Sequence, residues 1–218
     1  MKRRAIWFGA CFAFLCSFGA AAQSVDMQAT VSALKQGGYV IVLRHGATNR
    51  DQADTDPLNL DNVPKQRVLS IQGREQAKQL GEAFKSLQIR FGQVYTSKFN
   101  RAVETGRLAT GPDVIATTDL TEGGLVVTPI ENDRRAEVLR RLSATPPTPG
   151  TNTLIVTHKP NILDAFGKDW FEVKEGEASV FKPDGAGKTA VVARVQLVDW
   201  IEAARTWQPT SAKATSKY

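Results

Sequence analysis

Two uninterrupted apolar runs of this chain lead to a histidine within two residues. Residues 39–43, YVIVL, lead directly into Arg44, His45 and Gly46, while residues 154–156, LIV, lead into Thr157 and His158. A strand that faces water on one side alternates apolar and polar residues. An unbroken apolar run instead marks a strand covered on both faces, the usual state of a strand in a parallel sheet. The chain contains only these two histidines. In open parallel sheets ligands bind beyond the carboxyl ends of the strands, which is where both imidazoles fall.

The rest of the chain alternates helix and strand signals. Residues 26–37 read as a short helix closed by Gly37 and Gly38. Residues 46–68 are a long polar stretch rich in Asp, Asn and Pro. Structureless stretches of that length are uncommon in compact domains and are often functional. Helical periodicity resumes at 70–87, with Ser70 as cap and Ala77, Leu80, Phe84 and Leu87 on one face. Residues 91–97 read as strand, 98–110 as helix and 113–120 as strand, followed by a glycine-bearing loop. Residues 134–144 read as a helix with Ala136, Leu139 and Leu142 inward and its four arginines on a solvated face. Strand 153–158 precedes a helix opened by Pro160, which suits a first helical turn. Residues 176–183 and 189–197 flank DGAGK, a hairpin signal. This pattern predicts an α/β fold, a three-layer α/β/α sandwich whose mostly parallel sheet ends in an antiparallel C-terminal hairpin.

The first residues read as a leader. Lys2, Arg3 and Arg4 precede an apolar run to about Cys16, and Ala20-x-Ala22 fits a small-x-small cleavage site. Residues 1–22 are therefore expected to be a secretory signal peptide cut after Ala22, placing the protein in the periplasm or outside the cell. Residues 23–218 would form one domain, with a disordered tail from about 208. No stable membrane insertion is expected after cleavage. Both cysteines, Cys11 and Cys16, lie in the leader, so the remaining domain has no thiol nucleophile and no disulfide. Three of the 28 basic residues and none of the 22 acids also lie there, so the formal charge of +6 falls by three. A mild basic lean without a Lys/Arg stripe interleaved with aromatics argues against a nucleic-acid partner.

The strand ends gather cations. Arg44 adjoins His45, and the strand at 91–97 runs into a helix whose first turn carries Arg101. A guanidinium grips phosphate oxygens bidentately and stays charged. The amides opening the Arg101 helix are expected to add donors, and Gly46 to let backbone approach a ligand. The neighbouring cations are expected to hold His45 neutral, the form that can attack phosphorus.

The segments LRHGAT (43–48), LSIQGREQAKQLG (69–81), TSKFNRAVETGRL (96–108) and IVTHKPNI (155–162) occur in this order. They resemble the signature segments of the histidine phosphatase superfamily, in its phosphoglycerate mutase-like branch. The resemblance implies a phosphoglycerate mutase-like fold and a small phosphorylated substrate. It also implies a phosphomonoester hydrolase that forms a phosphohistidine on His45 and needs neither metal nor other cofactor. Arg44, Arg101 and His158 would hold the phosphate. A carboxylic acid would protonate the leaving oxygen, and the Leu-x-Glu context of DLTEGG nominates Glu122, with Glu104, Glu131, Glu175 and Asp119 as alternatives. Glu104 is expected to pair with Arg101 or face solvent. Ala47, Lys98 and Lys159 depart from the residues common at their positions in the family, and the two lysines add positive charge at the rim.

Three other readings compete. A phosphomutase of the same fold would need a bisphosphorylated cofactor that is not expected outside the cytoplasm. A non-catalytic periplasmic binder of phosphorylated ligands would keep the arginines without needing His45, His158 and Glu122 intact. A metallohydrolase would place arginine beside a divalent cation and lacks a third ligand at metal-site spacing.

Overall fold

Strand β1 (Val40–Arg44) is the centre of the molecule because its side chains divide evenly between two cores. Ile41 and Leu43 pack with Leu80, Phe84, Leu154 and Val156 on one face, while Val40 and Val42 pack with Leu139, Ile155, Ile162 and Phe181 on the other. The computed structural model describes residues 25–123 and 126–207. The leader expected at 1–22 and the tail expected from 208 lie outside the described residues.

The remaining strands are β2 (Phe91–Ser97), β3 (Ile115–Thr117), β4 (Asn152–Thr157), β5 (Ala178–Pro183) and β6 (Thr189–Val195). They form one six-stranded sheet in the order β3-β2-β4-β1-β5-β6. Strands β1 to β4 pair in parallel, and β5 and β6 add the antiparallel hairpin. The helices are α1 (Met27–Gln36), α2 (Ile71–Ser86), α3 (Asn100–Thr110), α4 (Pro129–Ser143), α5 (Lys159–Phe166) and α6 (Leu197–Thr206). Buried residues of α1, α2, α3 and α6 line one core, and those of α4 and α5 the other. The architecture is the expected three-layer sandwich.

Strand register brings the candidate residues together. Arg44 lies opposite Thr157, and Thr96 opposite Val156. The carboxyl ends of β1, β2 and β4 therefore meet at one edge of the sheet. His45, Ser97 and His158 are neighbours there before any loop is considered.

Two elements differ from the expectation. The strand expected over 113–120 is three residues long, and 118–120 form a 3-10 turn. Thr117 Oγ1 accepts from the Asp119 amide, which caps that turn and bends the chain off the sheet. Helix α6 is an addition. It opens with a capping box between Gln196 and Asp199 and buries Trp200 completely; the preceding apolar strand masked its short period.

The long polar segment is folded on itself. Thr48 bridges Leu69, the Asn49 amide donates to Val68 O, and the Ser70 amide donates to Ala47 O. Its ends thus meet, in the manner of a compact surface loop. The start of α2 sits hard against it. A Cβ placed on Gly73 would fall on the Ala47 carbonyl, a backbone group that cannot swing aside. Gly73→Ala is therefore expected to destabilise the fold by about 1–2 kcal/mol, overpacking outweighing the gain in helix propensity. Urea midpoints check this, and a midpoint at or above wild type would contradict it.

Candidate active site

His45 follows β1, its amide bonded to Thr157 O at 3.0 Å and its side chain 2% exposed. Its Nδ1 lies 2.8 Å from Gly46 O. A carbonyl can only accept, so Nδ1 carries the hydrogen and the lone pair of the neutral ring sits on Nε2. Nε2 makes no hydrogen bond among the described residues. Burial is the main force holding His45 well below the ordinary histidine pKa of 6.5, followed by His158, with Arg101 and Arg44 acting in the same direction. The arginines thus contribute to the neutrality expected of His45, but desolvation contributes more.

His158 stands 5.1 Å from His45 between ring centroids and has no exposure. Its Nε2 is 2.7 Å from Ser97 Oγ. A chain of hydroxyls assigns the proton: Thr121 Oγ1 donates to Thr117 O and Ser97 Oγ donates to Thr121 Oγ1. Ser97 can then only accept from the ring, so His158 Nε2 carries the hydrogen. The opposite nitrogen, Nδ1, is buried, has no hydrogen bond, and lies 3.4 Å from Glu122 Oε1. Burial and then Arg101, Arg67 and Arg44 push the His158 pKa well below 6.5.

Arg101 projects from the first turn of α3 with no solvent exposure. Its Nη1 donates to Asp54 Oδ1 at 3.0 Å and to Arg67 O at 3.2 Å, and its Nη2 pairs closely with Glu122 Oε1. Arg44 donates from Nη1 to Val173 O at 2.8 Å, with Glu175 at 3.7 Å from Nη2. The Nε groups of Arg44, Arg67 and Arg101 are buried with no partner among the described residues. All five residues nominated from the sequence, Arg44, His45, Arg101, Glu122 and His158, therefore meet in one place.

The alternative acids lie elsewhere or in other pairings. Glu104 bonds Arg74 at 2.6 Å, neither pairing with Arg101 nor facing solvent alone. Asp119 and Glu131 bond Arg134. Glu175 accepts from Thr48 Oγ1 beside Arg44. Only Glu122 touches both Arg101 and His158.

Three further expectations need correction. The amides of Lys98, Phe99 and Asn100 are consumed by Thr121 Oγ1, Ser97 Oγ and Gln66 Oε1, so the α3 start does not offer these donors to a ligand. Gly46 serves packing: its amide donates to Thr105 Oγ1, and a Cβ would crowd the Gly73 carbonyl at 3.1 Å. Arg135 is not on a solvated face. It is 12% exposed and donates at 2.7 Å to Thr121 O, the carbonyl preceding Glu122.

The residues missed from the sequence are Asp54, Gln66 and Arg67. They lie in the polar segment 46–68, where no periodicity marks an inward side chain. Of the rim lysines, Lys98 is exposed and Lys159 places Nζ 4.7 Å over the Phe171 ring. Among the described residues no group of three His, Cys, Asp or Glu side chains is arranged to hold a metal ion.

Two buried neutral histidines make stability depend on pH. As pH falls through 6.5, unfolded rings bind protons that the folded rings refuse. Stability is then lost, at up to about 1.4 kcal/mol per pH unit for each ring, until the lower folded pKa is reached. Urea unfolding at pH 7.5, 6.5 and 5.5 should show a declining midpoint, and a flat profile would contradict the burial of neutral imidazoles.

The family model of the histidine phosphatase superfamily (branch 1) matches residues 40–128. No curated protein matches the chain by sequence. Among solved structures, the protein histidine phosphatase SixA complexed with tungstate is 18% identical, with a TM-score of 0.52 over 73% of this chain and 97% of its own. "Mycobacterial hydrolase 1" is 16% identical, with a TM-score of 0.51 over 72% and 97%. A mycobacterial glucosyl-3-phosphoglycerate phosphatase in complex with VO3 is 18% identical, with a TM-score of 0.50 over 71% and 97%. At these identities the structures establish a shared fold. Residues 40–128 thus resemble the histidine phosphatase superfamily, and the chain shares the fold of these solved structures.

Proposed function

We propose that the protein is a phosphomonoester hydrolase working through a phosphohistidine on His45, without a metal ion. The observation that carries this reading is that, among the described residues, the Nε2 of a buried, neutral His45 and the Nε–H groups of nearby guanidiniums have no partner. Unpartnered buried donors are costly, and a phosphoryl group supplies the oxygens they lack.

In the first step the Nε2 lone pair attacks phosphorus as the P–O bond to the leaving group breaks, and protonated Glu122 gives its proton to the departing alkoxide oxygen. In the second, ionised Glu122 takes a proton from water. The hydroxide oxygen then bonds to phosphorus, the P–N bond breaks, and its electron pair returns to Nε2. Inorganic phosphate leaves, and His45 and Glu122 regain their starting states. Arg44 and Arg101 hold the phosphoryl oxygens and stabilise the charge spread over them in the transition state. His158 gives its Nε2 hydrogen to Ser97 and so has no donor for a phosphoryl oxygen; its Nδ1 lone pair faces Glu122 instead. Arg135, through Thr121 O, fixes the backbone from which Glu122 projects.

Export fits this chemistry, because a domain without cysteine that uses neither thiol nor metal works unchanged in an oxidising compartment. We take residues 1–22 as the signal that directs it there; N-terminal sequencing of the protein recovered from the producing cells should begin at Gln23.

Purified protein is expected to hydrolyse p-nitrophenyl phosphate and other phosphomonoesters, to keep its activity in EDTA, and to be inhibited by orthovanadate. His45→Ala should abolish turnover, and Glu122→Gln should lower kcat by about 100-fold or more. EDTA-sensitive turnover, or full activity in His45→Ala, would overturn the mechanism. Vanadate binding without turnover on a broad ester panel would mark a binding protein instead.

A further inference from the structure

We propose that Arg67 is a third phosphoryl-binding guanidinium, carried into the site by the 46–69 loop, and that Asp54 is the residue that positions it. This rests on the phosphoryl-transfer reading above.

Charge balance is the first argument. Arg101 faces Asp54 and Glu122, and Arg44 faces Glu175. Among the described residues no carboxylate lies within 4.0 Å of the Arg67 guanidinium, and none of its side-chain nitrogens donates a hydrogen bond, although its Nε is buried. A half-buried arginine normally finds a carboxylate or a carbonyl fork. Here the neighbours are of the same sign: the Arg67 charge acts on both Arg44 and His158, pushing each downward. A cation held near the Arg44 guanidinium and the His158 ring, with no carboxylate of its own, is stabilised when an anion completes the cluster.

The second argument is how the residue is held. The Arg67 amide donates to Asp54 Oδ1 at 2.9 Å, and the Arg67 carbonyl accepts from Arg101 Nη1 at 3.2 Å. The same Asp54 oxygen accepts from Arg101 Nη1 at 3.0 Å. One carboxylate oxygen thus fixes the Arg67 backbone and one arm of Arg101 together. Gln66 next door receives the Asn100 amide and donates to Leu60 O, tying the loop to the start of α3. A surface arginine on a mobile loop would need none of these restraints. A phosphoryl dianion has three non-bridging oxygens, and Arg44, Arg101 and Arg67 offer three guanidiniums to them.

The test compares wild type, Arg67→Ala, Arg67→Met and Arg67→Lys, with Lys188→Ala in the β5–β6 turn as a charge-loss control. KM for p-nitrophenyl phosphate and inhibition constants for orthovanadate and inorganic phosphate are measured at low and moderate salt. Truncating Arg67 leaves both backbone bonds in place, and Arg67→Met retains bulk, so a common effect of the two reports the lost guanidinium. Both should raise KM and both inhibition constants by roughly 10- to 100-fold, the range of one lost charge-assisted contact. Arg67→Lys should recover only part, lacking the planar fork, and Lys188→Ala should stay within about twofold. For positioning, Asp54→Ala should weaken vanadate binding while Asp54→Asn, which keeps an Oδ1 acceptor, restores most of it. Wild-type turnover with unchanged constants in both Arg67→Ala and Arg67→Met would overturn this inference alone. A wild type that neither turns over nor binds vanadate or phosphate would overturn the phosphoryl-transfer reading, and this inference with it.

Discussion

Arg101 carries a full charge with no exposure to solvent, and a charge so buried costs several kcal/mol unless partners surround it. Three surround it from two parts of the chain: Asp54 and the Arg67 carbonyl from the long loop, and Glu122 from beyond β3. The helix bearing it stands where it does because β2 delivers the chain to the sheet edge shared with β1 and β4. Those contacts draw the loop, α3 and the Glu122 segment to one point. Without the buried guanidinium, Asp54 and Glu122 would be two carboxylates without a cation between them. The site is thus held from its centre outward.

The histidines complement that cation by being neutral. Their burial pushes both pKa values well below 6.5, which leaves His45 Nε2 a lone pair and makes His158 a polar group without charge. The cost of keeping two imidazoles unprotonated beside guanidiniums is small, since like charge already disfavours their protonation. The hydroxyl chain through Ser97 and Thr121 then orients His158, so its Nδ1 faces Glu122. Arg44, His45 and His158 are held at the ends of β1 and β4, while Arg101 comes from the first turn of α3 and Glu122 from just beyond the turn after β3.

Much of this was legible in the sequence because it obeys periodicity. Uninterrupted apolarity marked β1 and β4, and a single topological rule then placed Arg44, His45, Arg101 and His158 at one edge. Glu122 was nominated by family resemblance and reached the site because the chain turns sharply after β3. What stayed hidden depends on contacts between residues far apart in sequence. Asp54 and Arg67 sit in a polar segment whose inward side chains follow no period, so nothing local separates them from Asp51 or Lys65. Gly46 looked like a ligand approach, yet its neighbour is the Gly73 carbonyl. Arg135 looked solvated because its helix is lined with arginine, and only the tertiary position of Thr121 O gives it an inward role. The α3 amides were misread for a similar reason: their acceptors, Gln66, Ser97 and Thr121, come from separate segments.

The central claim is that His45 is the atom-transfer centre and that everything around it serves to hold a phosphoryl group on its Nε2. Rapid acid-free quenching of the protein during turnover of a phosphomonoester, followed by peptide mapping by mass spectrometry, tests that claim most directly. The account predicts one phosphoryl group on the peptide containing His45, present in wild type and accumulating in Glu122→Gln, whose dephosphorylation is slowed. A peptide that remains unmodified while turnover proceeds, or a phosphoryl group found on His158 instead, would contradict it.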